Sequence, residues 1–376
     1  MDCKGHYAFN GLEDVIWGQD AVSACVGEVE RRGAQRVAII TSPSLHKATS
    51  AVDDLAEALA GKSALLFDEL LPHTPAPQVA AFAKLVNEND VDLVISMGGG
   101  TPIDTAKVAL AMGDEGTFNP FAVANKPPKS VPPKIRQISC PTTLSGAEFS
   151  DLAGLTDPET KIKHGVTSFG IGPATVILDP ELARHTPLDL WLSTGMRAVD
   201  HAIETLCSIE ATPYTDALAA DALAKLANAL RVTKSNPTNL SARLDAQMAV
   251  WLASAGLDRT PYGASHGIGH QLGAVAGTPH GICSCVLLPA VLEWNADHSG
   301  LAQQRIADIL EADSAANGVR QLLRDLELPS RLSDADVQND VLPEIATGSV
   351  NNRWVQTNPR PLPTANDIEQ LLKTAF

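Results

Sequence analysis

Three of the ten histidines in this 376-residue chain fall within fifteen residues, in Gly263-Ala-Ser-His266-Gly-Ile-Gly-His270-Gln-Leu-Gly-Ala-Val-Ala-Gly-Thr-Pro-His280-Gly. His266 and His270 are four apart, which puts them on one face of a helix. His280 follows after a Gly-Thr-Pro turn signal. An imidazole can ligate a metal, move a proton or hold an anion. Three together, flanked by apolar Ile268, Leu272 and Val275, read as a site rather than a solvated surface. A second candidate is Gly98-Gly99-Gly100-Thr101-Pro102-Ile-Asp104-Thr-Ala-Lys107, which leaves an apolar strand-like run and enters a helical one. Glycines let the backbone approach a phosphate closely, and a helix N-terminus offers free N–H groups and a positive dipole end. Pro102 suits a first helical turn. The pattern is neither GxGxxG nor a P-loop, and Asp104 and Lys107 have the spacing of an i,i+3 pair. A third candidate is Cys140-Pro-Thr142-Thr143-Leu-Ser145-Gly-Ala-Glu148. Hydroxyls just past a strand's carboxyl end face the ligand crevice of a doubly wound sheet. Ser145 and Glu148 also have capping-box spacing.

The elements that must position these groups change character along the chain. Strand-like runs at Arg36–Thr41, Ser63–Phe67, Val91–Met97, Ile135–Ser139 and Thr175–Leu178 are interleaved with helical stretches at Val52–Leu59 and Val79–Asn89. Apolar strands separated by helices predict a parallel sheet covered on both faces. After Pro187 the strand pattern fades, and Val199–Leu206, Thr215–Val232, Asn239–Ala255, Ile268–Val275 and Leu301–Leu310 read as helices. The expectation is an α/β domain over residues 1–185 and a helical domain over 186–376 that carries the histidines. The last forty residues are polar and contain several prolines; they are expected to wrap the surface and end in a helix at Ala365–Thr374.

Bulk properties narrow the class. A net charge of −16 and a pI near 5.0 argue against nucleic acid as a partner. No apolar run reaches the ~18–20 residues that span a bilayer. The first residues, Met1-Asp-Cys-Lys-Gly-His6, lack the basic and apolar regions of a secretory signal. Six scattered cysteines with no CxxC spacing read as reduced thiols of a cytoplasmic protein.

Taken together, these motifs resemble the iron-containing (group III) alcohol dehydrogenase family. Gly98–Lys107 resembles its GGGSxxDxxK cofactor turn, and Pro141–Glu148 its second nucleotide-contacting loop. Ser193-Thr-Gly-Met-Arg197-Ala-Val-Asp200-His201-Ala-Ile-Glu204 and the histidine stretch resemble its metal helices. The second loop, and the helix ending Ile203-Glu-Thr-Leu-Cys207, are similar to the maleylacetate reductase branch in particular. The resemblance implies a Rossmann-like N-terminal domain and an all-α C-terminal domain, the dehydroquinate synthase-like fold. It implies NAD(H) or NADP(H) held by Ser42, Gly98, Gly99, Gly100, Thr101, Asp104, Thr142, Thr143, Ser145 and Lys163. It implies a divalent iron or zinc ion on His201, His266 and His280, with His270 as a proton relay, and a homodimer acting on a small carbonyl or oxo-acid substrate.

Two positions depart from the family's pattern. Where the family places an aspartate ligand, this chain has Arg197. A guanidinium carries only donors and stays charged, so it cannot bind a metal. Asp200 does not simply take over, because three residues along a helix turn it ~60° away. Arg197 at that place suits a substrate carboxylate or carbonyl oxygen, or it pairs locally with Asp200 or Glu204. Where many relatives carry an aspartate against the adenosine ribose, this chain has Ser42, so NADPH is not repelled and either cofactor is expected. The expected activity is NAD(P)H-dependent reduction of an oxo acid such as maleylacetate, with catalysis by Arg197, His201, His266, His270 and His280. The alternatives are a metal-dependent alcohol or aldehyde dehydrogenase, a dehydroquinate synthase-like lyase or cyclase, and a nucleotide-binding protein without catalysis.

Overall fold

A computed structural model describes residues 6–124, 126–160 and 163–376; Cys3 and the start of the N-terminal segment lie outside the described residues. The chain divides into one unit of Ala8–Pro187 and a second of Leu188–Phe376 that also takes in Tyr7. The Tyr7 hydroxyl donates to the Ala255 carbonyl at 3.0 Å, and its ring meets Tyr214 edge-on at 4.9 Å.

The first unit is built on β1 (Asp14–Trp17), β2 (Val37–Thr41), β3 (Leu65–Phe67), β4 (Leu93–Gly98), β5 (Arg136–Pro141) and β8 (Thr175–Leu178). These strands form one parallel sheet in the order β1-β8-β5-β4-β2-β3. Both faces are covered, which is why β2 reads as an unbroken apolar run rather than an alternating one. Ala38 and Ile40 pack towards α4 (Ala76–Glu88) and α5 (Gly100–Glu115). Val37 and Ile39 pack towards α1 (Ala21–Arg32) and α3 (Ala51–Ala58). Each fully buried isoleucine contributes ~1.5–3 kcal/mol. The short α2 (Pro43–Ala48) follows β2, and α6 (Pro180–Ala183) follows β8. A separate antiparallel pair, β6 (Leu152–Thr156) and β7 (Lys163–Thr167), lies beside α5.

The second unit is helical among its described residues: α7 (Leu188–Cys207), α8 (Pro213–Ser235), α9 (Leu240–Ala253), α10 (Ala264–Val275), α11 (His280–Asn295), α12 (Gly300–Ile309), α13 (Ala315–Leu326), α14 (Leu342–Ser349), α15 (Arg353–Gln356) and α16 (Ala365–Thr374). No described helix is long and apolar enough to cross a membrane. Close approach of α11 to α7 depends on a missing side chain: a Cβ on Gly281 would lie 2.5 Å from the Ser193 carbonyl oxygen. The polar tail corrects the expectation of a surface wrap. Leu342, Ile345, Trp354, Val355 and Leu371 are buried, and α14, α15 and α16 share one core with α10 and α11. Its apolar residues recur at helical spacing inside a polar composition, so the average hides the buried stripe.

Candidate functional site

In the first unit the register of the sheet assembles the glycine turn. Thr41 pairs with Met97, Met97 with Cys140 and Gly98 with Pro141, so β2, β4 and β5 end level with one another. The residues that follow, Ser42, Gly99–Thr101 and Thr142–Ser145, therefore gather at one carboxyl edge. Gly98 has φ +136°, a conformation that favours glycine. A Cβ on Gly99 would lie 2.9 Å from Thr143 Cγ2, and one on Gly100 would lie 3.6 Å from Ser145 Oγ. The Thr142 amide donates to the Gly98 carbonyl at 3.0 Å, and Thr143 Oγ1 donates to Ser145 Oγ at 3.3 Å. Ser42 caps α2 by accepting from the Leu45 amide. Helix α5 starts at Gly99 with no side-chain cap, and Thr101 lies in its first turn. A closely approachable backbone next to uncapped N–H groups is a cradle that fits a pyrophosphate.

Two further residues fasten this turn to its neighbours. Lys107 is fully buried and donates to the carbonyls of Ala147 and Leu152 and to Asp104, at 2.5, 2.9 and 3.3 Å. Asp104 also accepts from the Gly154 amide at 3.1 Å, so the pair fastens α5 to the following loop and to β6. Lys163 lies on β7 opposite Thr156, where its charge acts on His73. The Ser145–Glu148 capping box does not form. Gly146, in a left-handed conformation, precedes a single 3-10 turn at Ala147–Phe149 instead. Glu148 is buried there, one carboxylate oxygen has no partner, and burial pushes its carboxyl up to about 7.

In the second unit three helices deliver the charged and imidazole groups. Arg197, Asp200, His201 and Glu204 fall at i, i+3, i+4 and i+7 of α7 and share one side. His266 and His270 share a side of α10, and His280 opens α11. The imidazoles of His201 and His266 stack with centroids 5.0 Å apart, and those of His270 and His280 lie 6.0 Å apart. Trp354 bridges the two pairs, 5.8 Å from His266 and 4.8 Å from His270, while Tyr262 packs on His201 and His266. Neither aromatic residue was singled out by sequence pattern. Trp354 stands in a four-residue helix with no periodicity to flag it.

The hydrogen bonds fix which atoms remain available. Glu204 accepts from the backbone N–H of Ser265 and from Nδ1 of His266, at 3.0 and 2.7 Å. A Cβ on Gly263 would lie 2.9 Å from that carboxylate. Asp200 Oδ2 accepts from the hydroxyls of Ser265 and Ser284 at 2.8 and 2.7 Å. Burial pushes Glu204 up to about 8, with Asp200 adding to the effect, and pushes Asp200 up to about 6 against the opposing pull of Arg197. Burial, then the Arg197 charge, drives His201 and His266 well below the usual imidazole range, so both rings are neutral. Four buried atoms of this cluster are left with no hydrogen-bond partner: Arg197 Nη1, Asp200 Oδ1, His201 Nδ1 and His266 Nε2.

This donor set does not suit a divalent ion. Of the three expected ligands, His201 and His266 stack together while His280 packs beside His270 and acts on His266. The fixed positive charge of Arg197 acts on the His201 and His266 rings, and its nitrogens have no lone pair to offer. Asp200, Glu204 and His266 also bring ligand-type atoms within 4.8 Å of one another. On that side Glu204 and Asp200 Oδ2 already bond His266 Nδ1, Ser265 and Ser284, while Asp200 Oδ1 and His266 Nε2 have no partner. A guanidinium with a free N–H fits an oxygen that carries or develops negative charge.

Comparison with known proteins covers nearly the whole chain. Residues 13–180 match the iron-containing alcohol dehydrogenase family, and residues 191–376 match the C-terminal region of the Fe-containing alcohol dehydrogenase family. The chain is 29% identical to the NAD-dependent methanol dehydrogenase of Bacillus methanolicus, across 96% of this chain and 97% of that one. It is 28% identical to the maleylacetate reductase of Burkholderia cepacia, across 96% and 95%. An alcohol dehydrogenase from Oenococcus oeni superposes with a TM-score of 0.91 at 25% identity, covering 99% of this chain and all of that one.

Proposed function

The chain belongs to the iron-containing alcohol dehydrogenase family of oxidoreductases, and from that premise we propose that it reduces the carbonyl of a small oxo acid of the maleylacetate type with NADH or NADPH, as a cytoplasmic homodimer. The observation that carries the reading is the enclosed, unpartnered Nη1 of Arg197 beside the neutral rings of His201 and His266. Ser42, the Gly98–Gly100 turn and Thr142–Ser145 would hold the dinucleotide, with its pyrophosphate at the uncapped start of α5. The reduced nicotinamide supplies the hydride. Arg197 donates a hydrogen bond to the substrate oxygen and offsets the charge that develops there, the work that a metal ion does in Lewis-acid catalysis. His270 and His280 are half-buried, in reach of solvent protons, so one of them returns the proton to that oxygen. His201 and His266 stay neutral and shape the slot.

The test is oxidation of NADH and of NADPH with maleylacetate, in matched samples with and without a strong chelator. Turnover that survives chelation is expected. Turnover lost on chelation and restored by Zn²⁺ or Fe²⁺ would replace this reading with a metal-dependent alcohol or aldehyde dehydrogenase. No turnover in either sample would refute maleylacetate as the substrate.

A further inference from the structure

A cavity of about 460 Å³ in the second unit, lined by α11, α13, the loop after α13 and the end of α16, collects Arg320, Arg324, Arg331 and Lys373. Four of the chain's 28 lysines and arginines therefore line one concavity on a protein of net charge −16. Arg320 is held by Glu293 at 2.5 Å and Lys373 by Glu369 at 2.7 Å. Arg324 donates only to the neutral Gln321 amide oxygen, at 2.6 Å. Among the described residues neither the Arg324 nor the Arg331 guanidinium forms an ion pair, although Arg324 acts on the neighbouring Asp325 and Asp334 accepts from the Arg331 backbone N–H at 3.1 Å. Helix-end charge does not account for the cluster. Arg324 and Lys373 sit in last turns, where cations favour the dipole, but Arg320 lies a turn earlier and Arg331 is outside any helix. The floor is apolar, formed by Val286 and Pro289 of α11.

We propose that this cavity is a binding site for a small organic anion bearing two or more oxyanion groups, either phosphate or carboxylate. The charges come from three places in the chain, with Arg320 and Arg324 one turn apart on α13, Arg331 in the loop after it and Lys373 on α16, a spread that suits a ligand with spaced anionic groups. The volume is in the ~300–1,000 Å³ range of small-molecule pockets. Arg324 and Arg331 are the anchors, because their guanidinium forks are uncommitted to carboxylates and match oxyanions two bonds at a time. The inference is independent of the proposed reductase activity. It concerns the middle of α11, about two turns and more past His280.

The experiment is calorimetric titration of the full chain with citrate and, separately, with pyrophosphate, at two salt concentrations. Binding of at least one anion is expected, weaker at the higher salt. Citrate alone points to a carboxylate ligand and pyrophosphate alone to a phosphate ligand. The double variant Arg324→Ser/Arg331→Ser removes two exposed side chains. It should weaken binding by about tenfold or more with an unchanged melting temperature. Equal affinity in wild type and double variant would place the anion elsewhere, at the glycine turn or Arg197, and overturn the proposal. Failure of both anions to bind the wild type would overturn it as well.

Discussion

Arg197 is where the reasoning is most exposed to test. Its Nη1 is enclosed without a partner, so a substrate oxygen placed there gains a charge-assisted hydrogen bond in a site sheltered from water. Such bonds contribute ~1.5–3 kcal/mol, which is ~10- to 150-fold in kcat/KM. If the bond strengthens as negative charge develops on the oxygen, the loss falls mainly on kcat and approaches the ~10²–10³ of an oxyanion donor. Arg197→Ala is therefore expected to lower kcat/KM by about 10²-fold. Arg197→Lys keeps the charge but not the fork and should fall between the two. The alanine variant also removes the charge that opposes the burial penalty on Asp200, so unfolding must be measured in parallel. Arg197→Asp adds the reverse test. It places a carboxylate one helical turn before His201 and should raise zinc or iron binding above that of the wild type, read by metal analysis after dialysis. The assay is steady-state NADH oxidation with chelator present. A folded Arg197→Ala protein within threefold of wild-type kcat/KM would refute the role given to this residue.

Three other expectations follow from the first unit. Gly99→Val puts a branched side chain where even a Cβ would lie 2.9 Å from Thr143, so NADH affinity measured by fluorescence titration should fall at least about tenfold; an unchanged Kd would mean that the turn does not hold the dinucleotide. Ser42→Asp adds a negative charge at the end of β2, and its expected effect is a loss of NADPH affinity with NADH affinity retained, the discrimination made by an acidic residue near the ribose; parallel loss of both would place the ribose elsewhere. Glu148 has its carboxyl raised from 4.5 to about 7, so its protonated form is favoured by folding. That contribution is fully present below pH 4.5 and lost as pH rises through 7. Glu148→Gln should therefore stabilise the chain relative to wild type by ~1–3 kcal/mol at pH 8 and little at pH 4.5, read by urea denaturation at both pH values.

The fold was legible where periodicity and burial agree. β8 has the expected bounds, Thr175–Leu178, because a short, fully buried β-branched run between turn signals has few other uses. The glycine turn was legible because φ of +136° and a 2.9 Å approach leave glycine little competition. The capping box failed because the same Ser-x-x-Glu spacing was overridden by left-handed Gly146, which turned the chain before a helix could start. Trp354, Asn358 and the apolar stripe of the tail escaped notice for another reason. They act through contacts across long stretches of chain, as when Asn358 accepts from the Ala264 amide 94 residues away. Nothing local in the sequence encodes such a pairing.

The α7 helix combines two kinds of chemistry on one side. Glu204 holds Nδ1 of His266, and Gly263 leaves room for that carboxylate. One and two turns earlier on the same helix stand Asp200 and Arg197. An isolated buried guanidinium would be costly. Asp200 lowers that cost because its own buried charge is steadied by two serine hydroxyls, from Ser265 on α10 and Ser284 on α11, and lies within the field of Arg197. Arg197 acts on Asp200 through its field rather than by a direct ion pair, and the hydroxyls that support Asp200 come from both neighbouring histidine helices. This arrangement predicts that Arg197→Asp alone will destabilise the unit by placing two carboxylates together, whereas Arg197→Asp combined with Asp200→Thr will recover stability. The thermal midpoints of the two single variants and the double variant close that cycle. Additive losses across it would show that Asp200 does not act on Arg197 at all.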